Sequence, residues 1–252
     1  MMYLSHLMID VGSNPDRPRP GRLWLRNVYH VHQRLSMAFP TSMPRAENGR
    51  FLFRIDSSVE DDSPRAIILV QSDLLPDWDY AFHNARILLA APPESKECNP
   101  TFLAGEEFRF RIRASLSKKS CEHRREKADR TDIYGRSKSQ GKRVALTWEK
   151  DQGPDAAVQE WFASKGERCG FSLSGFHILH LGWVVGYRPK RKTRCGESKD
   201  EDSGRQMKFR SALLEGTLAV TDAPAFAQAI ASGVGSAKAF GFGLLSIAPV
   251  RI

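Results

Sequence analysis

A tyrosine and a histidine, three residues apart, are the side chains in this sequence best placed for proton transfer. Tyr29 and His32 share one face of a helix at that spacing. Histidine titrates near neutral pH, and the phenol of Tyr29 can donate to a phosphate oxygen or orient the imidazole. His30 lies two positions from His32 and projects elsewhere. The alternative is that His32 is an exposed helix histidine without a chemical role.

The residues around this pair predict the helix that must carry it. Apolar side chains recur at spacings of three and four from Val28 through Val31 and Leu35 to Phe39. This pattern gives the helix one buried face, and Pro40 marks its expected end. The pair therefore has an element on which it can be held at a fixed spacing.

The order of elements in the first half predicts a ferredoxin-like unit. An apolar segment at 2–9 predicts a strand before the helix, and 51–55 and 65–71 predict two strands after it. A weaker apolar segment, 85–91, indicates a fourth strand. Strand, helix, strand, strand and strand make up most of a ferredoxin-like half.

A second half of similar design follows a polar boundary. Pro, Glu, Ser, Lys and Asn are concentrated in 92–100, which predicts domains at 1–95 and 101–252. The second half begins with an alternating strand and contains two long polar or charged segments, 118–143 and 188–205. The first of these is expected to be a connector.

The C-terminal segment combines four glycines with one lysine. Glycine lets backbone N–H groups approach a ligand closely, and a cation in the same loop indicates an anionic ligand. The spacing is not that of a P-loop, so an extended polyanion is favoured over a nucleotide. The alternative is a turn that only reverses the chain. The residues concerned are Gly233, Gly235, Lys238, Gly241 and Gly243.

The overall charge agrees with a polyanionic ligand. The 252 residues carry a formal net charge of +9, which favours nucleic acid or an acidic membrane surface as partner. No stretch is long and apolar enough for a transmembrane helix, and we expect no membrane association. The four cysteines form no Cys-x-x-Cys pair, and no metal-binding motif occurs, so we expect a cytoplasmic protein without metal or cofactor.

Arginines recur at every second position of the first strand in the second half. Arg111 and Arg113 share one face with Arg109, and no acidic residue is interleaved there. Lys118 and Lys119 extend the positive charge beyond the strand. We expect these residues to bind RNA phosphates, and the alternative is a solvated sheet face.

A second cationic cluster is the densest in the chain. It is long enough to enter an RNA groove or to grip phosphates. Acidic residues follow it directly, so the alternative is a solvated loop, and only its first part is assigned to binding. The cluster contains Arg188, Lys190, Arg191, Lys192 and Arg194.

Together these motifs resemble the CRISPR-associated CasE family, the precursor-crRNA endoribonucleases of type I-E Cascade. The resemblance spans both halves of the chain. It rests on Met2-Tyr3-Leu4-Ser5, Tyr29-His30-Val31-His32-Gln33, the Phe108 to Ala114 strand, Gly216-Thr217-Leu218, Asp222-Ala223-Pro224 and the glycine-rich segment from Gly233 to Pro249.

The resemblance implies two tandem ferredoxin-like (RRM-like) domains, each an antiparallel sheet with helices on one face. It implies that the protein binds a CRISPR repeat hairpin, cleaves precursor crRNA without a metal, and remains bound to the product beside other Cascade subunits. By matching position, His32 is the general acid or base and Tyr29 is its partner. The glycine-rich loop with Lys238 and the Arg111–Arg113 strand would contact RNA.

Two departures from the family pattern leave questions about mechanism. Some relatives carry a lysine one turn beyond the catalytic histidine, where this chain has Met37, so Lys118 or Lys119 would have to supply the charge. After the Arg113-Ala114 pair, this chain has Ser115-Leu116 where family members usually have Asn-Pro.

Two alternative functions stay open: a non-catalytic RNA-binding or assembly subunit on the same fold, and a basic enzyme whose loop holds a phosphorylated small molecule.

Overall fold

Two four-stranded antiparallel sheets, one after the other along the chain, form the framework of this computed structural model. The structure describes residues 1–14, 16–40, 50–56, 64–120, 142–149, 153–188 and 205–250. Each sheet has its own hydrophobic core. The protein is therefore built from two α+β units, as the sequence predicts.

The first sheet contains the strands of residues 3–97. Its strands pair in the order β4-β1-β3-β2, and α2 packs Val28, Val31 and Leu35 into the same core as Leu7 and Ile9 of β1. Buried residues such as Leu7 and Ile9 alternate with less buried ones along β1, so one face of the sheet is apolar. The elements are β1 (Tyr3–Asp10), α1 (Pro20–Leu25), α2 (Val28–Ser36), β2 (Phe51–Asp56), β3 (Arg65–Ser72), α3 (Trp78–Phe82), a 3-10 helix (Arg86–Leu88) and β4 (Glu94–Glu97).

The second sheet repeats this topology. Its strands pair in the order β10-β5-β9-β8, which is again fourth, first, third and second along the chain. Helices α4 and α5 supply Phe162 and Phe226 to the core beneath Phe110 and Ile112 of β5. The elements are β5 (Glu107–Ser115), β6 (Ser117–Ser120), β7 (Lys142–Ala145), α4 (Gly153–Cys169), β8 (Phe171–Arg188), β9 (Arg205–Val220), α5 (Ala223–Ser232), a 3-10 helix (Lys238–Phe240) and β10 (Leu245–Pro249).

The strand order of both sheets confirms the predicted tandem ferredoxin-like fold. The last strand of the first sheet ends at residue 97 and the first strand of the second begins at 107. The domain limits 1–95 and 101–252 remain a proposal, and the strands themselves favour a division within 98–106.

Three details differ from the sequence prediction. The fourth strand is not 85–91, where Arg86–Leu88 forms a 3-10 helix, but Glu94–Glu97. All four side chains of that edge strand are exposed, so it has no apolar pattern to recognise. A short additional helix, Pro20–Leu25, precedes the predicted one and is separated from it near Asn27. The ends of the predicted connector 118–143 pair as β6 and β7, and its middle, 121–141, lies outside the described residues.

A buried arginine joins the two sheets. Arg54 on β2 is 3% exposed and makes a bidentate ion pair with Asp56, at 2.7 and 2.9 Å. Its Nη1 also donates to the main-chain oxygen of Arg111, at 2.9 Å, and to Oγ of Ser246, at 2.7 Å. Because both acceptors lie on the second sheet, Arg54 fixes β2 against β5 and β10.

Candidate active site

Helix α2 carries Tyr29 and His32 at the junction between the two sheets. Asn27 caps the helix, because its side-chain oxygen accepts a hydrogen bond from the Tyr29 amide at 3.2 Å. The same side chain reaches the second sheet: its Nδ2 donates to the main-chain oxygen of Tyr187, and the Tyr187 amide donates to Oδ1, both at 3.1 Å. The start of α2 is thereby fixed to the end of β8.

The imidazole of His32 packs between aromatic side chains of β2. Its ring centroid lies 5.1 Å from that of Phe51 and 6.3 Å from that of Phe53, with both pairs stacked. Nδ1 is buried and has no hydrogen-bond partner among the described residues. Burial lowers the pKa of His32 below its usual value, so the neutral imidazole dominates near pH 7. A neutral imidazole can act as a general base.

Tyr29 is half-buried one turn before His32 on the same helix. Its ring centroid lies 6.4 Å from that of His30, an exposed residue, and the two ring planes are tilted by 54°. The prediction that Tyr29 and His32 lie on one helix is confirmed. Their roles in catalysis stay a prediction.

The glycine-rich loop packs against the strand that supports His32. All four glycines have φ between 76° and 90°. A Cβ on Gly233 would lie 2.8 Å from Cδ1 of Leu52, and one on Gly241 would lie 3.1 Å from the ring of Phe53. At Gly243 it would lie 2.6 Å from the main-chain oxygen of Val234. Glycine is thus required here for close packing within the protein, a role that the sequence interpretation did not include.

Lys238 already has a hydrogen-bond partner within the protein. Its Nζ donates to the main-chain oxygen of Ser232 at 2.5 Å, at the end of α5. Partial burial lowers the pKa of Lys238. The ammonium therefore stabilises a helix C-terminus, and its predicted contact with RNA would have to be made in addition to or in place of that bond.

The structure brings Lys118 and Lys119 to the glycine-rich loop. Both are exposed on β6. Next to them, Oγ of Ser117 and Oγ of Ser236 lie 2.9 Å apart in a hydrogen bond that joins β6 to the loop. Two predicted binding segments, at Lys118 and Lys238 and 120 positions apart in the sequence, are thus neighbours in the structure.

The β5 arginines share a face as predicted, but they are not equivalent. Phe110 and Ile112 are buried, and Arg109 and Arg111 are exposed. No acidic residue is interleaved on β5 itself, but Arg111 forms an ion pair with Glu215, directly opposite on β9. Arg113 is only half-exposed and faces a cleft between the two sheets.

The densest cationic cluster begins at the contact between α2 and β8. Arg188 is the last residue of β8 and directly follows Tyr187, which Asn27 holds. Lys190, Arg191 and Lys192 lie outside the described residues. Of this cluster, the structure thus describes Arg188, which ends β8 beside the N-terminus of the helix that carries His32.

Other features of the described residues concern charge, metals and membranes. Met37 lies at the end of α2 and is 39% exposed, so no cation stands one turn beyond His32 on the helix.

Across the described ranges, no group of three or more His, Cys, Asp or Glu side chains could hold a metal ion. Within the same ranges, no helix combines the length and apolar character needed to cross a membrane.

Comparison with known proteins adds relatives that match over their full length. The CRISPR-associated endoribonuclease Cse3 of Thermus thermophilus is 27% identical over 248 residues, which cover 98% of this chain and 100% of the relative. The CRISPR system Cascade subunit CasE of Escherichia coli is 27% identical over 250 residues, which cover 99% of this chain and 100% of that protein.

Solved structures and a family model agree with these matches. A structure of the endoribonuclease Cse3 bound to 19 nt RNA is similar with a TM-score of 0.67 and 27% identity, over 98% of this chain and 100% of that one. A Thermus thermophilus Cse3 structure with an RNA that represents a pre-cleavage complex has a TM-score of 0.65 and 26% identity, over 98% of this chain and 99% of that one. The family model described as CRISPR associated protein matches residues 2–249, and the chain belongs to that family.

Proposed function

We propose that this protein is an endoribonuclease that binds the hairpin of a CRISPR repeat, cleaves precursor crRNA into mature guides and stays bound as a Cascade subunit. The observation that carries the proposal is the full-length match to an endoribonuclease whose RNA-bound structures share this fold. The half-buried histidine on α2 supplies the group that such a reaction needs.

In the proposed reaction, His32 takes the proton of a ribose 2′-hydroxyl. The 2′-oxygen then attacks the neighbouring phosphorus, and the bond from phosphorus to the 5′-oxygen breaks. The products are a 2′,3′-cyclic phosphate and a 5′-hydroxyl, whose oxygen receives a proton from a general acid. Because burial lowers its pKa, the imidazole of His32 is neutral near pH 7 and can accept this proton.

Tyr29 is the proposed partner of His32. Its phenol can donate to a non-bridging phosphate oxygen as negative charge develops there. Met37 supplies no positive charge, so we assign stabilisation of the phosphate to Lys118 or Lys119 on β6. This reaction scheme needs no metal ion and no cofactor.

The proposed RNA surface is spread over both sheets. It comprises the glycine-rich loop and the cationic residues of β5, β6 and the segment that follows β8. Contact with several phosphates releases counterions and makes affinity fall steeply with salt. The residues assigned to it are Arg111, Arg113, Lys118, Lys119, Arg188, Lys190, Arg191, Lys192, Gly233, Gly235, Lys238, Gly241 and Gly243.

We place the protein in the cytoplasm, where precursor RNA and the other Cascade subunits would meet it. Cys98 and Cys169 carry free thiols, which suits a reducing compartment. The assignment follows from the proposed substrate.

Cleavage of a stem-loop RNA in EDTA tests the proposal. The purified protein is incubated with labelled repeat RNA, either unmodified or with a single 2′-deoxynucleotide at the scissile position. Cleavage of the first RNA, with binding but no cleavage of the second, is the expected result. Cleavage of the deoxy RNA would exclude attack by the 2′-oxygen. Tight binding of both RNAs without any cleavage would instead indicate a non-catalytic binding subunit.

A further inference from the structure

Asn27 connects the helix that carries His32 to the second sheet through its side chain. Its Oδ1 caps α2 by accepting from the amide of Tyr29. The side chain also pairs with Tyr187 at the end of β8: Nδ2 donates to the main-chain oxygen, and Oδ1 accepts from the main-chain N–H, both at 3.1 Å. We call these two bonds to Tyr187 the Asn27 bridge.

The Asn27 bridge has the hydrogen-bonding pattern of an added strand. Facing residues of an antiparallel pair exchange both N–H and C=O bonds, and Asn27 makes the same exchange with Tyr187 through its side chain. Among the described residues β8 is the last strand of its sheet, so this edge of Tyr187 is open to such a partner. Beside it, a Cβ on Gly186 would lie 3.3 Å from Cγ2 of Val28. The lack of a side chain at Gly186 thus lets the first turn of α2 lie close to β8.

The imidazole of His32 is placed by the first sheet, whereas most of the proposed RNA contacts belong to the second. Its ring packs on Phe51 and Phe53 of β2, and Nδ1 has no hydrogen-bond partner among the described residues. The distance between the base and the bound RNA therefore depends on how α2 is held against the second sheet. The described cations assigned to RNA on that side are Arg111 and Arg113 of β5, Lys118 and Lys119 of β6, and Arg188 of β8.

We propose that Asn27 is a positioning residue for cleavage: the Asn27 bridge sets where α2 holds His32 relative to RNA bound on the second sheet. The proposal rests on the proposed function. Asn27 lies five residues before His32, or about 7.5 Å along the helix axis, so it acts through the helix and not on the RNA. A misplacement of about 1 Å can lower a rate about a hundredfold. Arg54 links the sheets independently, so loss of the bridge should shift the start of α2 without separating them.

Substitutions of Asn27 can separate the bridge from the helix cap. Serine caps a helix about as well as asparagine, but its side chain is too short to make both bonds to Tyr187. Asn27→Ser should lower the single-turnover cleavage rate at saturating repeat RNA about 10- to 100-fold, while hairpin affinity and the urea midpoint stay close to wild type. Asn27→Asp also keeps the cap, but it places an oxygen against the Tyr187 carbonyl and should lower the rate as well.

Two further measurements identify a positioning effect. Hydrogen exchange of the Tyr187 amide should be faster in Asn27→Ser, because that N–H loses its acceptor. The pH at which cleavage falls should stay at the wild-type value, since His32 keeps its packing on Phe51 and only the maximal rate is reduced.

Asp77→Ala is the matched control. Asp77 caps α3, where its Oδ1 accepts from the Tyr80 amide at 2.8 Å, and α3 belongs to the first unit. Loss of this cap should lower the urea midpoint more than Asn27→Ser does, because alanine is a poor cap. It should leave the cleavage rate and the exchange of the Tyr187 amide unchanged.

Several outcomes would overturn the role of Asn27. A wild-type cleavage rate for Asn27→Ser with faster exchange at Tyr187 would show that the bridge does not affect catalysis. A lower rate without faster exchange would assign the effect to something other than the bridge. Equal losses of rate for Asn27→Ser and Asp77→Ala would assign it to stability, and a loss explained by weaker binding would make Asn27 a binding residue. If wild-type protein does not cleave the repeat RNA, the proposed function itself fails.

Discussion

The imidazole of His32 lies nearly parallel to the ring of Phe51, with 5.1 Å between the centroids and 19° between the planes. Packing against this ring, rather than a hydrogen bond from Nδ1, holds the imidazole among the described residues. The same packing excludes water and lowers the pKa of His32. This aromatic contact thus contributes both to the position and to the burial that keeps the proposed base neutral.

Removal of the imidazole should abolish most of the cleavage without releasing the RNA. We expect His32→Ala to reduce the single-turnover cleavage rate by about a hundred- to ten-thousand-fold, because a general base contributes that much. Hairpin affinity should change little, since His32 is one contact among many. His30→Ala is the matched control, as His30 is an exposed histidine on the same helix. Normal cleavage by His32→Ala in EDTA would remove His32 from the mechanism.

The pH dependence of cleavage should report the packing on Phe51. If His32 acts as a base, the rate falls as pH drops through its pKa, and the lowered pKa places that fall below about pH 6.5. Phe51→Ser admits water to the ring, raises the pKa, and should move the fall to higher pH. Phe51→Leu keeps an apolar cover and should leave it close to the wild-type position. An identical profile for all three proteins would mean that another group titrates.

Arg54 should contribute far more to stability than Arg50, a surface arginine just before the same strand. Its side chain is 4% exposed and that of Asp56 is 18% exposed. Arg54→Met leaves a poorly solvated carboxylate, and we expect it to lower the free energy of unfolding by about 3–5 kcal/mol. Urea titration provides the measurement.

Arg50→Met is the control for this change. Arg50 and Asp73 are 75% and 41% exposed, with 3.5 Å between N and O, so we expect a loss below about 1 kcal/mol. Equal losses of stability for Arg50→Met and Arg54→Met would contradict the conclusion that Arg54 holds the two sheets together.

Two glycines of the same loop should respond differently to alanine. Gly235 and Gly243 have φ of 90° and 86°, so alanine is strained at both, by about 1–2 kcal/mol. A Cβ on Gly235 would have its nearest neighbour 4.0 Å away, whereas one on Gly243 would lie 2.6 Å from the Val234 oxygen. Thermal unfolding should therefore show a larger loss for Gly243→Ala. A larger loss for Gly235→Ala would contradict the assigned packing.

The cationic cluster after β8 should determine the salt dependence of RNA binding. The double variant Arg191→Glu and Lys192→Glu should weaken affinity and make the plot of log affinity against log salt less steep, because phosphate contacts are lost. The acidic residues Glu197 and Asp200 follow in the same segment, and replacing both with Gln provides a charge control. An unchanged slope for the double variant would assign the cluster to a solvated loop.

Local pattern was sufficient to predict the elements that bury an apolar face. Val28, Val31 and Leu35 repeat with the period of a helix and are buried as predicted, and the alternation at Phe110 and Ile112 marks β5 correctly. Strand β4 has no such pattern, since all its side chains are exposed. Its place in the sheet comes from pairing with β1, which no local sequence pattern reveals.

The candidate site was predictable in its residue types but not in its contacts. The Tyr29 and His32 spacing indicates a shared helix face, whereas the stacking of His32 on Phe51 depends on how β2 packs against α2. Likewise, the ion pair of Arg111 with Glu215 depends on a register between strands 104 positions apart. Such relations arise only when the sheets form, so the sequence of one strand does not contain them.

The side-chain amide of Asn27 makes hydrogen bonds with two parts of the protein. One is the first turn of the helix that carries His32, and the other is the main chain of Tyr187, next to the start of the cationic cluster. A displacement at the end of β8 would therefore reach the start of this helix through contacts that include the Asn27 side chain. We therefore expect RNA contacts made by the segment after β8 to influence how the helix presents the imidazole of His32.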